Sequence, residues 1–97
     1  MTVEIRRITQ VSDALEEAFA RLMPQLSPRL GAPSREELRR VAGSETGELL
    51  AAVAGERIVG VLTLAWYDAP SGRKAWIEDV VVDGAARGGG AGDGQQL

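Results

Sequence analysis

The chain has 97 residues, of which 44% are apolar and 26% charged, and its formal net charge is −3. This composition allows one small domain with its own core, excludes intrinsic disorder, and gives no basic footprint for nucleic acid or a membrane surface. The sequence contains no cysteine and no histidine, which excludes disulfides, thiolate nucleophiles, Cys/His metal sites and an imidazole base. We predict a cytoplasmic protein, because the amino terminus lacks a signal-peptide pattern and the sequence contains no cysteine. We also predict no bound metal, because the usual cysteine and histidine ligands are absent.

The first third of the chain predicts a strand and then a helix. Apolar and charged residues alternate at the start, which predicts a short strand whose apolar positions are Val3, Ile5 and Ile8. The next apolar residues recur at helical spacing and predict a buried stripe of Leu15, Phe19, Leu22, Met23 and Leu26. Asp13 with Glu16 resembles a capping box, with Ser12 as the alternative N-cap, and Pro24 should end or kink the last turn.

A second helix is predicted by a capping signal. Ser34 and Glu37 have the Ser-x-x-Glu spacing of a capping box, and Gly43 is a plausible residue for the C′ position. The predicted buried edge consists of Leu38, Val41 and Ala42. The two helices therefore follow one another before any further strand.

The chain from Glu48 onward predicts three strands joined by turns. Two apolar runs around "AGER" predict a hairpin, and "KAWIEDVVVD" after the "APSGR" turn predicts the third strand. The middle strand has apolar residues on both faces: Ile58, Leu62, Leu64 and Trp66 on one, and Val59, Val61 and Ala65 on the other. We therefore expect it to be central and covered on both sides, in the order β-α-α-β-β-β followed by a glycine loop.

The glycine loop after the third of these strands has the pattern Arg-x-x-Gly-x-Gly, formed by Arg87, Gly90 and Gly92. It matches neither the dinucleotide fingerprint nor the Walker A motif in any register. Without Cβ atoms, such a backbone can wrap closely around a phosphate with its N–H groups turned inward. The alternative is a flexible glycine-rich terminus.

With its elements in this order, the whole chain resembles the GNAT family of acetyl-CoA-dependent N-acetyltransferases, whose signature is (Arg/Gln)-x-x-Gly-x-(Gly/Ala). The resemblance implies an α/β (α+β) fold with a mixed sheet. It also implies transfer of acetyl from acetyl-CoA, as co-substrate, to the primary amine of a small molecule or peptide by direct attack. Neither nucleic acid nor a membrane is expected as a partner.

The resemblance also implies roles for particular residues. The general base is Glu78 in the first place and Asp79 in the second; the alternative is a charged edge position that resists aggregation. The backbone of the strand's last residues should pair with the pantetheine arm: Val80, Val81 and Val82. The loop should hold the diphosphate of coenzyme A: Arg87, Gly88, Gly89, Gly90, Ala91 and Gly92.

Several residues near this site have open interpretations. Successive strand residues point to opposite faces, so we expect that Glu78 and Asp79 cannot both face one site. The aromatic residues of the meander line either the acceptor pocket or the core: Trp66, Tyr67 and Trp76. Gly89 stands where the family commonly has a cation, and Gly94 where a helix former is usual.

The resemblance covers only the first part of the family's fold. We therefore expect residues 2–97 to be an acetyltransferase domain that is incomplete at its carboxyl end, with the fourth strand as an unpaired edge. The alternative function is a non-catalytic half-domain that either binds coenzyme A weakly or only assembles through its open strand edge. Such assembly would give a homodimer or proceed by strand exchange.

Overall fold

A four-stranded sheet with two helices on one face makes up residues 2–29 and 31–84, the part of the chain that this computed structural model describes. The elements are β1 (Glu4–Ile8), α1 (Asp13–Leu26), α2 (Arg35–Ala42), β2 (Gly47–Ala54), β3 (Arg57–Ala69) and β4 (Gly72–Val82). The predicted order β-α-α-β-β-β is confirmed. The strands lie side by side in chain order. We expected a mixed sheet, but all three pairings between the described strands are antiparallel.

Helix α1 begins at a serine cap. The Oγ atom of Ser12 accepts a hydrogen bond from the N–H of Leu15 at 3.2 Å, so Ser12 rather than Asp13 is the N-cap. Pro24 lies inside the last turn and does not end the helix, which continues to Leu26. The predicted stripe is buried up to Met23, but the prediction for Leu26 is wrong. As the final residue of the helix it lies beyond the packed stripe, and it is 41% exposed.

Helix α2 begins with the predicted capping box. Ser34 Oγ accepts from the N–H of Glu37 at 3.1 Å, and Glu37 Oε1 accepts from the N–H of Ser34 at 2.9 Å. Hydrogen bonding to the backbone N–H of Ser34, and then to its side chain, holds the pKa of the Glu37 carboxyl below its ordinary value. Gly43 is the C-cap itself, with φ −95, rather than a left-handed C′ residue. Leu38 is the buried residue of this helix.

The hydrophobic core lies between the helices and one face of the sheet, which we call the helix-side face. Its residues are Leu15, Ala18, Phe19, Leu22 and Met23 of α1, Leu38 of α2, and Leu49, Val61 and Val81 of the strands. Neither α1 nor α2, the helices found in the described part of the chain, has the length and apolar character needed to cross a membrane.

The opposite face of the sheet, which we call the open face, is apolar but is not covered by any described helix. It carries a cavity of about 310 Å³ whose lining includes Ile5, Leu50, Leu62, Ile77, Val80 and Val82. Strand β3 is central, as predicted, yet the described residues cover only its helix-side face. An irregularity in the β2–β3 pairing also reverses two predicted orientations: Ile58 packs against the core, and Val59 lines the open-face cavity.

Candidate functional site

Strand β4 contains a bulge at Asp79. Val61 and Thr63, two positions apart on β3, pair with Val81 and Glu78, which are three positions apart on β4. One extra residue therefore lies between these pairs on β4. Asp79 has φ 52, in the left-handed region that aspartate and asparagine enter more readily than other non-glycine residues.

The bulge changes which face each β4 side chain occupies. Strict alternation would put Ile77 and Val80 on opposite faces, yet both line the open-face cavity together with Val82. Glu78 pairs with Thr63, and Val81 pairs with Val61. Since Thr63 and Val61 are two positions apart on β3, their side chains share a face, and so do those of Glu78 and Val81. Since Val81 belongs to the core, Glu78 lies on the helix-side face. The sequence contained one signal for the bulge, an aspartate within an otherwise apolar stretch of the strand.

Glu78 shares its face with two aromatic side chains. Trp76 precedes it by two positions and pairs with Ala65, and the ring centroids of Trp76 and Tyr67 lie 5.6 Å apart. Both rings are about half exposed, so they are not core residues. Trp66 points to the open face, where the guanidinium of Arg73 lies 6.0 Å from its ring centroid. Of the three predicted aromatic residues, two therefore accompany Glu78.

The two candidate bases are both exposed to solvent in the described structure. Neither carboxylate is buried by the residues that the structure describes. Glu78 has the helix-side aromatic pair on its own face, whereas Asp79 occupies the bulge position. The geometry thus distinguishes two carboxylates that are adjacent in sequence.

The residues predicted to pair with pantetheine, Val80, Val81 and Val82, are the last three residues of β4. Val81 is buried in the core, and Val80 and Val82 are half-buried toward the open face. Strand β4 pairs with β3 on one side and is an edge of the sheet among the described strands. This position is compatible with an extended ligand arm that lies along the strand as a further strand would. The predicted diphosphate residues Arg87, Gly88, Gly89, Gly90, Ala91 and Gly92 lie outside the described residues.

The two residues that follow β4, Asp83 and Gly84, contact α1. The sequence did not predict this contact. Asp83 is buried, and its Oδ2 accepts from Arg21 Nη1 at 2.6 Å. The N–H of Gly84 donates to Gln25 Oε1 at 2.7 Å. Arg21 and Gln25 are one turn apart beside the buried stripe of α1. That spacing predicts a shared helix face but does not identify a partner.

Asp68 and Arg73 form an exposed ion pair. Arg73 donates to Asp68 and thereby holds the pKa of that carboxyl below its ordinary value. The bridge lies at the end of the β3–β4 hairpin. Among residues 2–29 and 31–84, no cluster of acidic, histidine or cysteine side chains has a composition that could hold a metal ion.

Solved structures with the same fold include acetyltransferases. An aminoglycoside acetyltransferase from an uncultured soil metagenomic sample, in complex with sisomicin, is 22% identical with a TM-score of 0.72, over 98% of this chain and 64% of that one. Ribosomal-protein-alanine N-acetyltransferase from Brucella melitensis biovar Abortus 2308 is 22% identical with a TM-score of 0.67, over 99% and 66%. A Trypanosoma brucei acetyltransferase is 27% identical with a TM-score of 0.66, over 99% and 69%. The chain thus spans about two thirds of these proteins.

The family assignment comes from the sequence match rather than from these structural likenesses, since 22% identity shows the fold alone. No curated protein matches the chain. The acetyltransferase (GNAT) family model matches residues 11–93 of the chain. This range includes α1, the β4 bulge and the glycine-rich residues 88–92. The chain belongs to the acetyltransferase (GNAT) family.

Proposed function

We propose that this protein is an N-acetyltransferase that moves the acetyl group of acetyl-CoA to a primary amine of a small molecule or peptide. Family membership supports the acetyl donor. The similar proteins named above include an aminoglycoside acetyltransferase, whose name gives a small-molecule acceptor, and a ribosomal-protein-alanine N-acetyltransferase, whose name gives acetylation of nitrogen. We further propose that the reaction takes place in the cytoplasm, in keeping with the absence of cysteine.

The cofactor side of the proposed site runs along β4 into the glycine segment. Main-chain groups of Val80 to Val82 bind the pantetheine arm at the sheet edge. The amides of residues 88–92 and the guanidinium of Arg87 bind the diphosphate. Glycines permit the close backbone approach that a phosphate requires, and arginine offers a permanent cation with a fork of donors.

The acceptor side is the helix-side face around Glu78. A protonated amine is attracted to a carboxylate and to the faces of aromatic rings. Glu78, Trp76 and Tyr67 supply both kinds of group on one face of the β3–β4 hairpin. Trp66 lies on the other face and has no role in the proposed acceptor site.

The chemical step is a direct transfer. Glu78 takes a proton from the acceptor ammonium, and the amine nitrogen then attacks the thioester carbonyl carbon. The new C–N bond replaces the C–S bond, and the sulfur of coenzyme A leaves as a thiolate that takes up the second proton lost by the nitrogen. The protein holds both reactants in line, so that most of the rate enhancement is a proximity effect.

The β4 bulge is the observation that carries this proposal. It assigns Glu78 to the face of the two exposed rings, while Val80 and Val82 turn to the open face. A non-glycine residue with positive φ in a strand is uncommon, and such residues concentrate at functional sites. The bulge thus puts the carboxylate of Glu78 on a different face of β4 from the side chains of Val80 and Val82.

The test combines coenzyme A binding with acetyl transfer. Coenzyme A at 100 times its dissociation constant should stabilise the chain by about 2.7 kcal/mol, measured as a shift in thermal unfolding. With acetyl-CoA and a panel of amines, Glu78→Gln should lower kcat by about 100-fold to 10,000-fold while leaving coenzyme A binding intact. Asp79→Asn is the matched control and should retain most activity. Equal losses in both variants would contradict the assignment of Glu78.

The exposed edge of β4 favours a second candidate, a non-catalytic module that binds coenzyme A weakly or assembles through this strand. Trp76 and Ile77 are 55% exposed there, and an apolar edge strand is prone to pair with another chain. Size-exclusion chromatography with light scattering separates the candidates. A dimer that dissociates on Ile77→Lys, with no thermal shift at millimolar coenzyme A, would favour the module over the enzyme.

A further inference from the structure

The helix-side face of the β3–β4 hairpin carries a lysine as well as a carboxylate and two aromatic rings. Lys74 precedes Trp76 by two positions on β4 and pairs with Tyr67 of β3, so its side chain shares their face. Along β4 this face therefore presents Lys74, Trp76 and Glu78 in turn, with the ring of Tyr67 beside that of Trp76. We call these four residues the hairpin strip. Its three β4 members precede the bulge, where the pairing with β3 is regular.

The two charged ends of the hairpin strip are exposed and lack a counter-ion within the described part of the chain. Neither Lys74 nor Glu78 forms an ion pair with another described residue. On the opposite face of the same hairpin, Arg73 pairs with Asp68 at 2.9 Å and lies against the ring of Trp66. The charges of that face are thus satisfied within the protein, whereas those of the strip are available to a ligand.

The spacing of the two charges sets the size of a ligand that contacts both. Four residues of extended strand separate Lys74 from Glu78, which amounts to about 13 Å at about 3.3 Å per residue. An ion pair forms only within about 4 Å, so the two side chains do not neutralise one another across this distance. An extended peptide has the same rise per residue. If its α-amine lies at Glu78, its fifth residue therefore lies at Lys74.

The position of the proposed acetyl donor decides which end of the ligand lies at which charge. Glu78 is two positions from Val80, where the segment assigned to pantetheine begins. Lys74 is two positions from Gly72, where β4 starts after the hairpin turn. The reacting amine therefore belongs at the Glu78 end, beside the rings that attract an ammonium. The far end of the acceptor then meets the lysine, whose compact positive charge attracts a carboxylate.

We propose that Lys74 is a specificity-determining residue of the acceptor site, which selects an amine that also carries a carboxylate about 13 Å away, as in a short acidic peptide. This inference rests on the proposed function, because that function assigns the acceptor amine to Glu78. The same lysine disfavours polycationic acceptors, since a second ammonium would lie against its own. Attraction of one class of acceptor and repulsion of another both add to specificity.

The test compares acetylation of three pentapeptide amides that differ only in the fifth residue, which is glutamate, glutamine or lysine. For the parent chain, kcat/KM should be about twofold to fivefold higher for the glutamate peptide than for the glutamine peptide, as expected of an exposed ion pair. It should be lower again for the lysine peptide. The differences should lie in KM and shrink as salt is raised, because exposed charges are screened. Glutamate moved to the second position should lose its advantage, because it no longer reaches Lys74.

Charge reversal at Lys74 gives the sharpest variant. Lys74→Glu should invert the order of the glutamate and lysine peptides, and Lys74→Gln should bring their kcat/KM values close together. Arg73→Gln is the matched control, since Arg73 is the adjacent cation on the opposite face. The order of the peptides in this variant should be that of the parent. An equal effect of Arg73→Gln and Lys74→Gln would overturn the inference. So would a parent without preference, whose lysine would then only protect an edge strand from pairing.

A binding measurement separates failure of this inference from failure of the proposed function. In the chain labelled with nitrogen-15, the glutamate peptide should shift the indole N–H signal of Trp76 and not that of Trp66 on the opposite face. Lys74→Gln should reduce this shift. Such binding without acetyl transfer to any amine would overturn the proposed function and uphold recognition by the strip. Acetyl transfer with no preference for the glutamate peptide would overturn the inference alone, and neither binding nor transfer would reject both.

Discussion

Glu78 and Val81 lie on the same face of β4 although three positions separate them, because the bulge at Asp79 adds one residue between their partners Thr63 and Val61. In a regular strand Glu78 would share its face with Val80 instead. One added residue therefore lets the same strand anchor in the core through Val81 and present a carboxylate beside two exposed aromatic rings.

The first prediction concerns the backbone at the bulge. Asp79→Val should destabilise the chain by about 1–2 kcal/mol, because a β-branched residue resists the left-handed conformation more strongly than aspartate does. Asp79→Gly should be neutral or slightly stabilising. Urea denaturation measures both, with Lys74→Val, an exposed position on the same strand, as the control that should show no such loss. If Asp79→Val were neutral, the bulge would not require its present conformation.

The second prediction concerns acceptor binding. Trp76→Leu and Tyr67→Leu should each raise the KM for a cationic amine about threefold to tenfold, since each removes a ring face from the side of Glu78. The KM for acetyl-CoA should not change. Trp66→Leu is the matched control on the opposite face, and initial-rate kinetics distinguish the three variants. An equal effect of Trp66→Leu would mean that the rings act through the stability of the hairpin.

The third prediction is a pH dependence at the start of α2. The pKa of Glu37 in the folded chain lies below its ordinary value of 4.5, because the backbone and side chain of Ser34 bond to its carboxyl group. A carboxyl with a lowered folded pKa contributes stability that is complete above the unfolded pKa and is lost as pH falls through the folded one. Glu37→Gln should therefore lose less unfolding free energy than the parent as pH falls below about 5.

Urea titrations at several pH values measure this difference. Glu36→Gln, in the same helical turn, is the control and should retain the parent's slope because Glu36 does not take part in the capping box. A Glu37→Gln chain with the full parental slope would show that other carboxyl groups account for the acid sensitivity.

The fourth prediction concerns the stability of the buried ion pair. Arg21→Leu should destabilise the chain by about 3 kcal/mol, because it leaves the carboxylate of Asp83 buried without its nearest cation. The double variant Arg21→Leu/Asp83→Leu should recover part of this loss, since replacing both charges with apolar groups removes the desolvation penalty. Chemical denaturation of the parent, Arg21→Leu, Asp83→Leu and the double variant gives the coupling energy between the two side chains. If the double variant lost as much unfolding free energy as the two single variants lose together, a direct interaction between Arg21 and Asp83 would be contradicted.

The fifth prediction compares two leucines of α1. Leu22 is fully buried, so Leu22→Ala should cost about 2–5 kcal/mol in unfolding free energy. Leu26 is 41% exposed at the end of the helix, so Leu26→Ala should cost less than about 1 kcal/mol. Thermal and urea unfolding measure both. Similar losses would mean that Leu26 is covered in solution.

Local signals in the sequence were sufficient for the kind and order of the elements. The period of apolar residues predicted α1 and the strands, and Ser34 with Glu37 predicted the start of α2 to the residue, because a capping box involves only neighbours along the chain. The predictions that Leu26 is buried and that Gly43 takes the C′ position were wrong. Burial and cap geometry depend on where a helix ends relative to the sheet, which its own sequence does not specify.

The sequence by itself determined the kind and order of the elements, the Glu78–Asp79 pair and the glycine pattern after β4, since these depend on residue type and spacing along the chain. Only the tertiary structure decided the face of Glu78, which depends on the pairing of β4 with β3. It also decided that Arg21 meets Asp83, a contact across 62 positions of sequence. Strand register and helix docking arise from packing between distant segments, and no local pattern specifies which residues then become neighbours.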